Sequence, residues 1–145
     1  MTKAKKSVSF VCMANYCRSP VAKMLIKHKF GDSIETDSAG IRPLVSAGMD
    51  PRSLDFLTKN DVYPELHTPK KVDKNFFISS DIIFAMDTFI LMQLNRTFKK
   101  YRNKFKLFSY QYRNLNIVDP YKLSDEDYKN VMEDIKLIVT NLVLD

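Results

Sequence analysis

Short apolar runs alternate with segments of helical periodicity along the chain. The first run, Val8–Cys12, is β-branched and aromatic, which is typical of a buried strand. Asp81–Asp87 and Lys104–Phe108 predict two further strands, and Ile34–Ser38, closed by Ala39-Gly40, is a short strand candidate. Strands that alternate with helices favour a parallel sheet with helices on both faces. We therefore predict an α/β fold in which residues 1–145 form a single doubly wound domain around a four-stranded parallel sheet.

Capping residues predict where the intervening helices begin and end. Ser19-Pro20 supplies an N-cap and a first-turn proline, and Gly31 marks the end of that helix. Asp50-Pro51 begins a second helix, and a third runs to about Asn95 after the Asp81–Asp87 strand. Ser124 caps a long last helix with acidic residues in its first turn. Its predicted apolar stripe is Tyr128, Val131, Met132, Ile135, Ile138, Val139 and Leu142.

Composition narrows the class of protein. Hydrophobic residues make up 45% and charged residues 28% of the chain, which excludes wholesale disorder. Two cysteines are too few for a disulfide scaffold and favour a reducing compartment. No apolar run approaches the roughly 18 residues of a transmembrane helix, and the short run after the basic Met1–Lys6 indicates a strand rather than a signal peptide. We therefore expect a cytoplasmic protein.

The formal net charge of +6 indicates anionic partners without identifying them. From Thr88 to Val118 the chain has no acidic residue and seven basic ones: Arg96, Lys99, Lys100, Arg102, Lys104, Lys106 and Arg113. A solvated face is the first interpretation, and a docking surface for acidic phosphoprotein segments or an anionic membrane is the second. Interleaved aromatic residues would also suit single-stranded nucleic acid, but core packing is the favoured explanation for most of them: Phe98, Tyr101, Phe105, Phe108, Tyr110 and Tyr112.

The loop between the first strand and the first helix carries the clearest chemical pattern. In a doubly wound sheet, ligands bind beyond the carboxyl ends of the strands, near the reversal of strand order. Cys12 ends the strand, and Arg18 and Ser19 lie at the mouth of the helix. Loop amides at a helix N-terminus attract an anion, and the same field together with Arg18 would favour a thiolate at Cys12. The arginine can grip two phosphoryl oxygens at once. A thiolate beside an oxyanion cradle is suited to attack on phosphorus.

The segment 11–20, V-C-x-x-N-x-C-R-S-P, resembles the phosphate-binding loop of low-molecular-weight protein tyrosine phosphatases. Further motifs follow in the order of that family and extend over essentially the whole chain. They are Asp37-Ser38-Ala39-Gly40, Asp50-Pro51-Arg52, His67 with Lys70 and Phe76, Met86-Asp87, and Asp119-Pro120-Tyr121. The resemblance implies a phosphatase that hydrolyses phosphotyrosine in proteins or aryl phosphates. It also implies no cofactor, with inorganic phosphate as product and inhibitor.

The resemblance also implies a role for each site residue. Cys12 would be the nucleophile, Arg18 the phosphate ligand and Asp119 the general acid and base. Ser19 would donate a hydrogen bond to the thiolate, while Ser38 and His67 tie down the loop. The loop itself would comprise Met13, Ala14, Asn15, Tyr16, Cys17 and Ser19, and the walls of the pocket would be Tyr16, Leu44 and Tyr121. We expect Asn15 to adopt a left-handed backbone conformation.

The sequence departs from the family pattern at several positions. Ala14 stands where most members have glycine, and a positive φ there would cost on the order of 1 kcal/mol. Tyr16 replaces a smaller residue at the rim of the pocket, and Ile90 replaces a usual asparagine. None of these positions is the nucleophile, the arginine or the acid. We therefore expect activity with an altered pocket preference.

Three other functions compete with this interpretation. An arsenate reductase of the same loop family needs two resolving cysteines downstream, and none follows Cys17. A protein-arginine phosphatase is nearer, but members of that branch carry a small threonine at the position of Tyr16. A non-catalytic binder of phosphoproteins or nucleic acid would not need Cys12, Arg18 and Asp119 together, and their presence argues against nucleic acid as a partner. Two cysteines five positions apart and two distant histidines do not form a metal ligand set.

The second cysteine of the loop suggests redox control. A low-pKa thiolate at Cys12 would be oxidised first by peroxide, and Cys17 could then form a protective disulfide with it. The alternative is that Cys17 only packs against the first helix.

Overall fold

A four-stranded parallel sheet forms the centre of the protein. The computed structural model describes residues 5–45, 48–113 and 115–144. The strands are β1 (Lys6–Cys12), β2 (Ile34–Gly40), β3 (Ile82–Ala85) and β4 (Phe105–Leu107). Their order is β2-β1-β3-β4, and each neighbouring pair is parallel. The predicted sheet is confirmed. The third and fourth strands are shorter than predicted.

Helices cover both faces of the sheet. They are α1 (Ser19–Phe30), α2 (Pro51–Lys59), α3 (Lys74–Ser79), α4 (Thr88–Thr97) and α5 (Asp125–Asn141). Two 3₁₀ segments, Gly31–Ser33 and Lys99–Lys104, follow α1 and α4. Within the described part of the chain, no helix is both long enough and apolar enough to cross a bilayer.

The caps confirm two of the predicted helix starts and correct a third. Ser124 and Asp50 accept hydrogen bonds from Asp127 and Arg52 as predicted N-caps. Ser19 does not cap α1, because Arg18 occupies the N-cap position and makes no side-chain cap bond. Helix α3 was not predicted. It has only six residues and depends on the side chain of Asp73, which accepts a hydrogen bond from the backbone N–H of Phe76 at 2.8 Å.

Two apolar cores lie on opposite sides of the sheet. One packs the Val8 and Phe10 side of β1 against α1, α2 and α5, and all seven residues of the predicted α5 stripe are buried in it. The other packs Val11 against α3 and α4. Because α1 and α4 follow adjacent strands but cover opposite faces, the loop after β1 lies at the reversal of strand order.

The basic segment 88–118 combines core aromatic residues with exposed charges. Phe105 and Phe108 are buried, and Phe98 and Tyr101 pack against Phe77. Tyr110 is 42% exposed. Of the seven basic residues, only Lys104 is not exposed, and it donates a hydrogen bond to the carbonyl of Phe77. Most of the interleaved aromatic residues therefore have a packing role, and the charges largely face solvent.

Gly40 ends β2 in close contact with the loop after β1. A Cβ atom at this position would lie 2.7 Å from the carbonyl oxygen of Met13 and 3.0 Å from the amide nitrogen of Asn15. Both of these atoms belong to the backbone, so they cannot move aside as a flexible side chain would. The close packing of β2 against the loop therefore depends on the absence of a side chain at Gly40.

We expect Gly40→Ala to lower the free energy of unfolding by about 1–3 kcal/mol and to weaken oxyanion binding, because the added methyl group displaces the loop. Gly48→Ala is the matched control, since its Cβ would meet only the carbonyl of His67, at 3.6 Å. Thermal denaturation with and without phosphate measures both effects. Equal behaviour of the two variants would show that the loop tolerates the displacement.

Candidate active site

The backbone carbonyls of the loop all point to donors outside it. Seven consecutive carbonyls, from Cys12 to Arg18, accept hydrogen bonds of 2.7–3.1 Å. The donors, in order, are the backbone amides of Ile41, Arg42 and Leu44, the ring of His67, the amide of Asp50, the hydroxyl of Ser53 and the amide of Ala22. With its carbonyls engaged outward, the loop can offer its N–H groups to an anion at its centre.

The side chain of Asn15 joins the loop to β2 and to the segment around Lys70. Its Nδ2 donates to Ser19 Oγ at 2.8 Å and to Ser38 Oγ at 3.0 Å, and its Oδ1 accepts from the Lys70 amide at 3.1 Å. His67 Nε2 donates to the carbonyl of Asn15 at 2.7 Å. Ser38 and His67 therefore lie next to the loop, as the sequence predicts. Burial lowers the pKa of His67, which favours the neutral ring.

Backbone strain in the loop falls on Asn15 and not on Ala14. Asn15 has a φ of 52°, the left-handed conformation expected of it. In the described ranges, the other non-glycine residues with positive φ are Asp61 and Arg113. Ala14 is not among them, so the penalty considered for an alanine at this position does not arise.

The sulfur of Cys12 lies among hydrogen-bond donors at the end of β1. Its Sγ is 2.9 Å from Ser19 Oγ and 3.2 Å from the backbone nitrogen of Asn15. Since Ser19 Oγ already accepts a hydrogen bond from Asn15 Nδ2, its own hydrogen can point to the sulfur. This contact explains why Ser19 does not cap α1. Two hydrogen-bond donors are therefore directed at this one sulfur.

Arg18 is anchored from behind by a residue that the sequence analysis did not assign to the site. Its side chain is 3% exposed, and Nη1 donates to Asp87 Oδ2 and to the carbonyl of Ile117, both at 2.7 Å. Burial alone would lower the pKa of Arg18. The negative charge at Cys12 and the hydrogen bond and charge of Asp87 outweigh burial and raise it. The guanidinium is therefore a fixed positive charge beside the sulfur.

Asp87 also explains how the second half of the sheet contributes to the site. It follows β3, the strand next to β1, and its Oδ1 accepts the Ile90 amide at 2.8 Å as the N-cap of α4. One carboxylate thus caps a helix and fixes the arginine. Its position after the strand at the switch point was the available sequence signal.

A cavity of about 160 Å³ opens above the sulfur. It is lined by Cys12, Ala14, Tyr16, Cys17, Arg18, Leu44, Asp119 and Tyr121. The rings of Tyr16 and Tyr121 meet edge to face, with centroids 5.9 Å apart. The structure therefore brings the predicted nucleophile, arginine, acid and aromatic walls to one cavity. Met13 belongs to the loop but not to this lining.

Asp119 lies at the exposed rim of the cavity. One carboxylate oxygen, Oδ1, accepts the backbone N–H of Tyr121 at 3.1 Å. This bond orients the carboxyl group and leaves the other oxygen available to a bound molecule. An exposed carboxyl group above a buried sulfur suits proton exchange with a leaving group or with water.

Cys17 has a different environment from Cys12. Its thiol is buried in the core against α1, α2 and α5, and its Sγ donates a long hydrogen bond of 3.9 Å to Asp50 Oδ2. Burial raises the pKa of Cys17 to about 12. It therefore remains a thiol at neutral pH. Among the described residues, no group of three or more His, Cys, Asp or Glu side chains is arranged to hold a metal ion.

Comparison with known proteins agrees with this geometry. The family model "Low molecular weight phosphotyrosine protein phosphatase" matches residues 7–144. The protein of that name from Mus musculus is 33% identical over 139 residues, covering 88% of this chain and 87% of the mouse protein.

Solved structures extend the comparison. The tyrosine phosphatase Wzb from Escherichia coli K30, in complex with sulphate, superposes with a TM-score of 0.87 at 26% identity, covering 94% of this chain and 95% of that one. The YwlE arginine phosphatase from Geobacillus stearothermophilus shares the fold, with a TM-score of 0.83 at 20% identity and coverage of 93% and 88%. The family match over nearly the whole chain, together with the site geometry, shows that this protein belongs to the low-molecular-weight phosphotyrosine protein phosphatase family.

Proposed function

We propose that this protein hydrolyses phosphotyrosine in proteins through a phosphocysteine intermediate on Cys12. The observation that carries the proposal is the position of the Cys12 sulfur. It lies at the base of a cavity that Arg18 and Asp119 also line, within a loop whose carbonyls are all engaged outside. Nucleophile, anion ligand and proton donor therefore converge on a space that a phosphoryl group can enter.

In the first step, the Cys12 thiolate attacks phosphorus and the bond from phosphorus to the phenolic oxygen breaks. Arg18 and the loop amides bind the non-bridging oxygens, where negative charge is concentrated. The protonated carboxyl group of Asp119 gives its proton to the leaving phenolate. The products of this step are a neutral phenol and a phosphocysteine.

In the second step, the Asp119 carboxylate removes a proton from water as the water oxygen attacks phosphorus. The phosphorus–sulfur bond breaks, and inorganic phosphate and the Cys12 thiolate are released. Hydrogen bonds from Ser19 and from the Asn15 amide stabilise the departing sulfur. Asp119 thereby regains the proton that it gave away in the first step.

The aromatic walls favour an aryl phosphate as substrate. Tyr16 and Tyr121 provide apolar surface above the sulfur, and Leu44 adds to it. A phenyl ring can pack against these side chains while its phosphate reaches Cys12, whereas phosphoserine is too short to do both. Phosphoarginine is the nearest rival, and comparing rates on matched phosphotyrosine, phosphoserine and phosphoarginine peptides distinguishes the three. Preference for phosphoarginine would contradict the proposal.

We also propose that the protein is cytoplasmic, because both cysteines are free and the mechanism requires a reduced nucleophile.

Replacement of the nucleophile tests the mechanism most simply. We expect Cys12→Ala to abolish turnover of p-nitrophenyl phosphate while the protein stays folded, since the sulfur is a small part of the core. Turnover by folded Cys12→Ala near the parental rate would refute the mechanism.

Arg18→Lys should lower kcat/KM by roughly 100-fold or more, because an ammonium group cannot bind two phosphoryl oxygens in a fork.

Tetrahedral oxyanions should bind the free enzyme. We expect phosphate and vanadate to inhibit competitively and to raise the melting temperature, because they occupy the loop only in the folded state. Isothermal calorimetry measures the affinity directly. Absence of binding at millimolar phosphate would contradict an anion-binding role for the loop.

Asp119→Asn should affect substrates according to their leaving groups. We expect kcat/KM to fall roughly 100-fold or more for phosphotyrosine, and much less for dinitrophenyl phosphate, whose leaving group needs no proton. The pH profile should also lose the limb that belongs to the acid. Equal losses for both substrates would show that Asp119 is not the proton donor.

Cys17 should protect Cys12 from irreversible oxidation. Peroxide converts the Cys12 thiolate to a sulfenic acid, and the Cys17 thiol then displaces water from it to form a disulfide. Peroxide-treated enzyme should recover with dithiothreitol, and Cys17→Ser should recover far less. Because the pKa of Cys17 is about 12, disulfide formation should accelerate as the pH rises towards that value. Equal recovery of Cys17→Ser and the parent would leave Cys17 with only a packing role.

A further inference from the structure

Arg52 joins the segment that carries Asp119 to the rest of the protein. Its Nη2 donates to the carbonyl of Tyr121 at 2.9 Å, and its Nη1 donates to the carbonyl of Leu123 at 3.1 Å. Both carbonyls lie between Asp119 and the start of α5. One guanidinium therefore holds the chain on the carboxyl-terminal side of the proposed acid.

This segment has few other attachments. Among the hydrogen bonds of the described residues, the two from Arg52 are the ones that link 118–123 to other parts of the chain. The segment is largely exposed: Val118 is 52% exposed and Tyr121 is 51% exposed. Apart from the buried Pro120 and the contact between the Tyr121 and Tyr16 rings, little else fixes this segment. A proton donor that moves cannot stay at hydrogen-bond distance from its target, so the two hydrogen bonds from Arg52 bear directly on where Asp119 lies.

Arg52 is itself rigidly placed. Its Nε and Nη2 donate to the two carboxylate oxygens of Asp50, each at 3.1 Å. The guanidinium also lies over the ring of Tyr128, 4.0 Å from its centroid, and that ring is buried. Because Asp50 binds one edge of the guanidinium and the Tyr128 ring stacks on one face, the side chain retains little conformational freedom. Its remaining N–H groups therefore point in fixed directions.

The residues next to Arg52 also bind the loop between β1 and α1. The Asp50 amide donates to the carbonyl of Tyr16 at 3.1 Å. Ser53, whose hydroxyl pairs with that of Tyr128, donates to the carbonyl of Cys17 at 2.9 Å. Residues 50–53 thus donate hydrogen bonds to two carbonyls of the loop between β1 and α1 and to two carbonyls of the segment 118–123.

We propose that Arg52 is a positioning residue that sets the position of Asp119 relative to the Cys12 sulfur. The inference rests on the proposed function, because it assigns Arg52 to the proton-transfer half of that mechanism. It does not assign Arg52 to phosphate binding, since the guanidinium is directed at backbone carbonyls and at Asp50. Loss of Arg52 should therefore impair protonation of the leaving group and leave the oxyanion cradle intact.

The first experiment compares leaving groups. We expect Arg52→Met to lower kcat/KM for phosphotyrosine about tenfold or more, and for dinitrophenyl phosphate by less than about twofold. Its inhibition constant for inorganic phosphate should match that of the parent. Methionine keeps the apolar stem over Tyr128, so the packing there is conserved.

Lys129→Met is the matched control, because Lys129 lines the same surface cleft as Arg52 and has no hydrogen bond to 118–123. It should behave like the parent with both substrates.

The second experiment is a double-mutant cycle with Asp119→Asn. If Arg52 acts through Asp119, the double variant should be no slower with phosphotyrosine than Asp119→Asn alone. Arg52→Lys, which keeps the charge and at most part of the hydrogen bonding, should fall between the parent and Arg52→Met. It also serves as the test variant if Arg52→Met fails to fold.

Either of two results would overturn the inference: equal losses for both leaving groups, or losses that multiply in the double variant. A parent enzyme without turnover would instead refute the proposed function. A parent whose Asp119→Asn variant shows the leaving-group effect, while the Arg52 variants do not, would refute only the role of Arg52.

Discussion

The site depends on the outward hydrogen bonding of the loop between β1 and α1. Seven consecutive carbonyls are satisfied by donors from the segment after β2, the start of α2, His67 and α1. N–H groups that are directed at a single centre repel one another. The hydrogen bonds to the carbonyls offset this repulsion and hold the loop in its conformation. Asn15 closes the arrangement by bonding to Ser19, Ser38 and the Lys70 amide. The fold itself therefore arranges the loop for the anion binding that we propose, before any ligand binds.

The two charged partners of Cys12 are held in contrasting ways. Arg18 is buried and fixed by Asp87 and a carbonyl, so it contributes a permanent charge at little cost in reorganisation. Asp119 is exposed, which suits the proton exchange with a phenol and with water that we propose for it. Because Arg18 is fixed at the bottom of the cavity and Asp119 lies at its exposed rim, separate contacts must set the position of Asp119. Arg52 lies where its hydrogen bonds can do so.

Much of this architecture could be predicted from local sequence. Strand β1 follows from its β-branched and aromatic residues, and the stripe of α5 follows from periodicity, since burial on one face of a helix requires apolar residues at fixed spacing. The loop motif indicated Cys12, Arg18 and Asn15 because few other functions need those residues at that spacing. Helix α3 escaped prediction because six residues are too few to show a period. The assignment of Ser19 as a cap was wrong because a tertiary contact with Cys12 outcompetes the local bond. Asp87 and Arg52 act through partners 69 residues away, and single-sequence patterns do not encode such pairings.

Covalent capture of the phosphoryl group on sulfur is the central claim, and rapid acid quench tests it directly. Enzyme mixed with excess p-nitrophenyl phosphate is quenched during turnover, digested and measured by mass spectrometry. The account predicts that the peptide containing Cys12 gains the mass of one phosphoryl group, and that the same peptide from Cys12→Ala does not. Turnover without any phosphorylated peptide, or with the phosphoryl group on another residue, would contradict it.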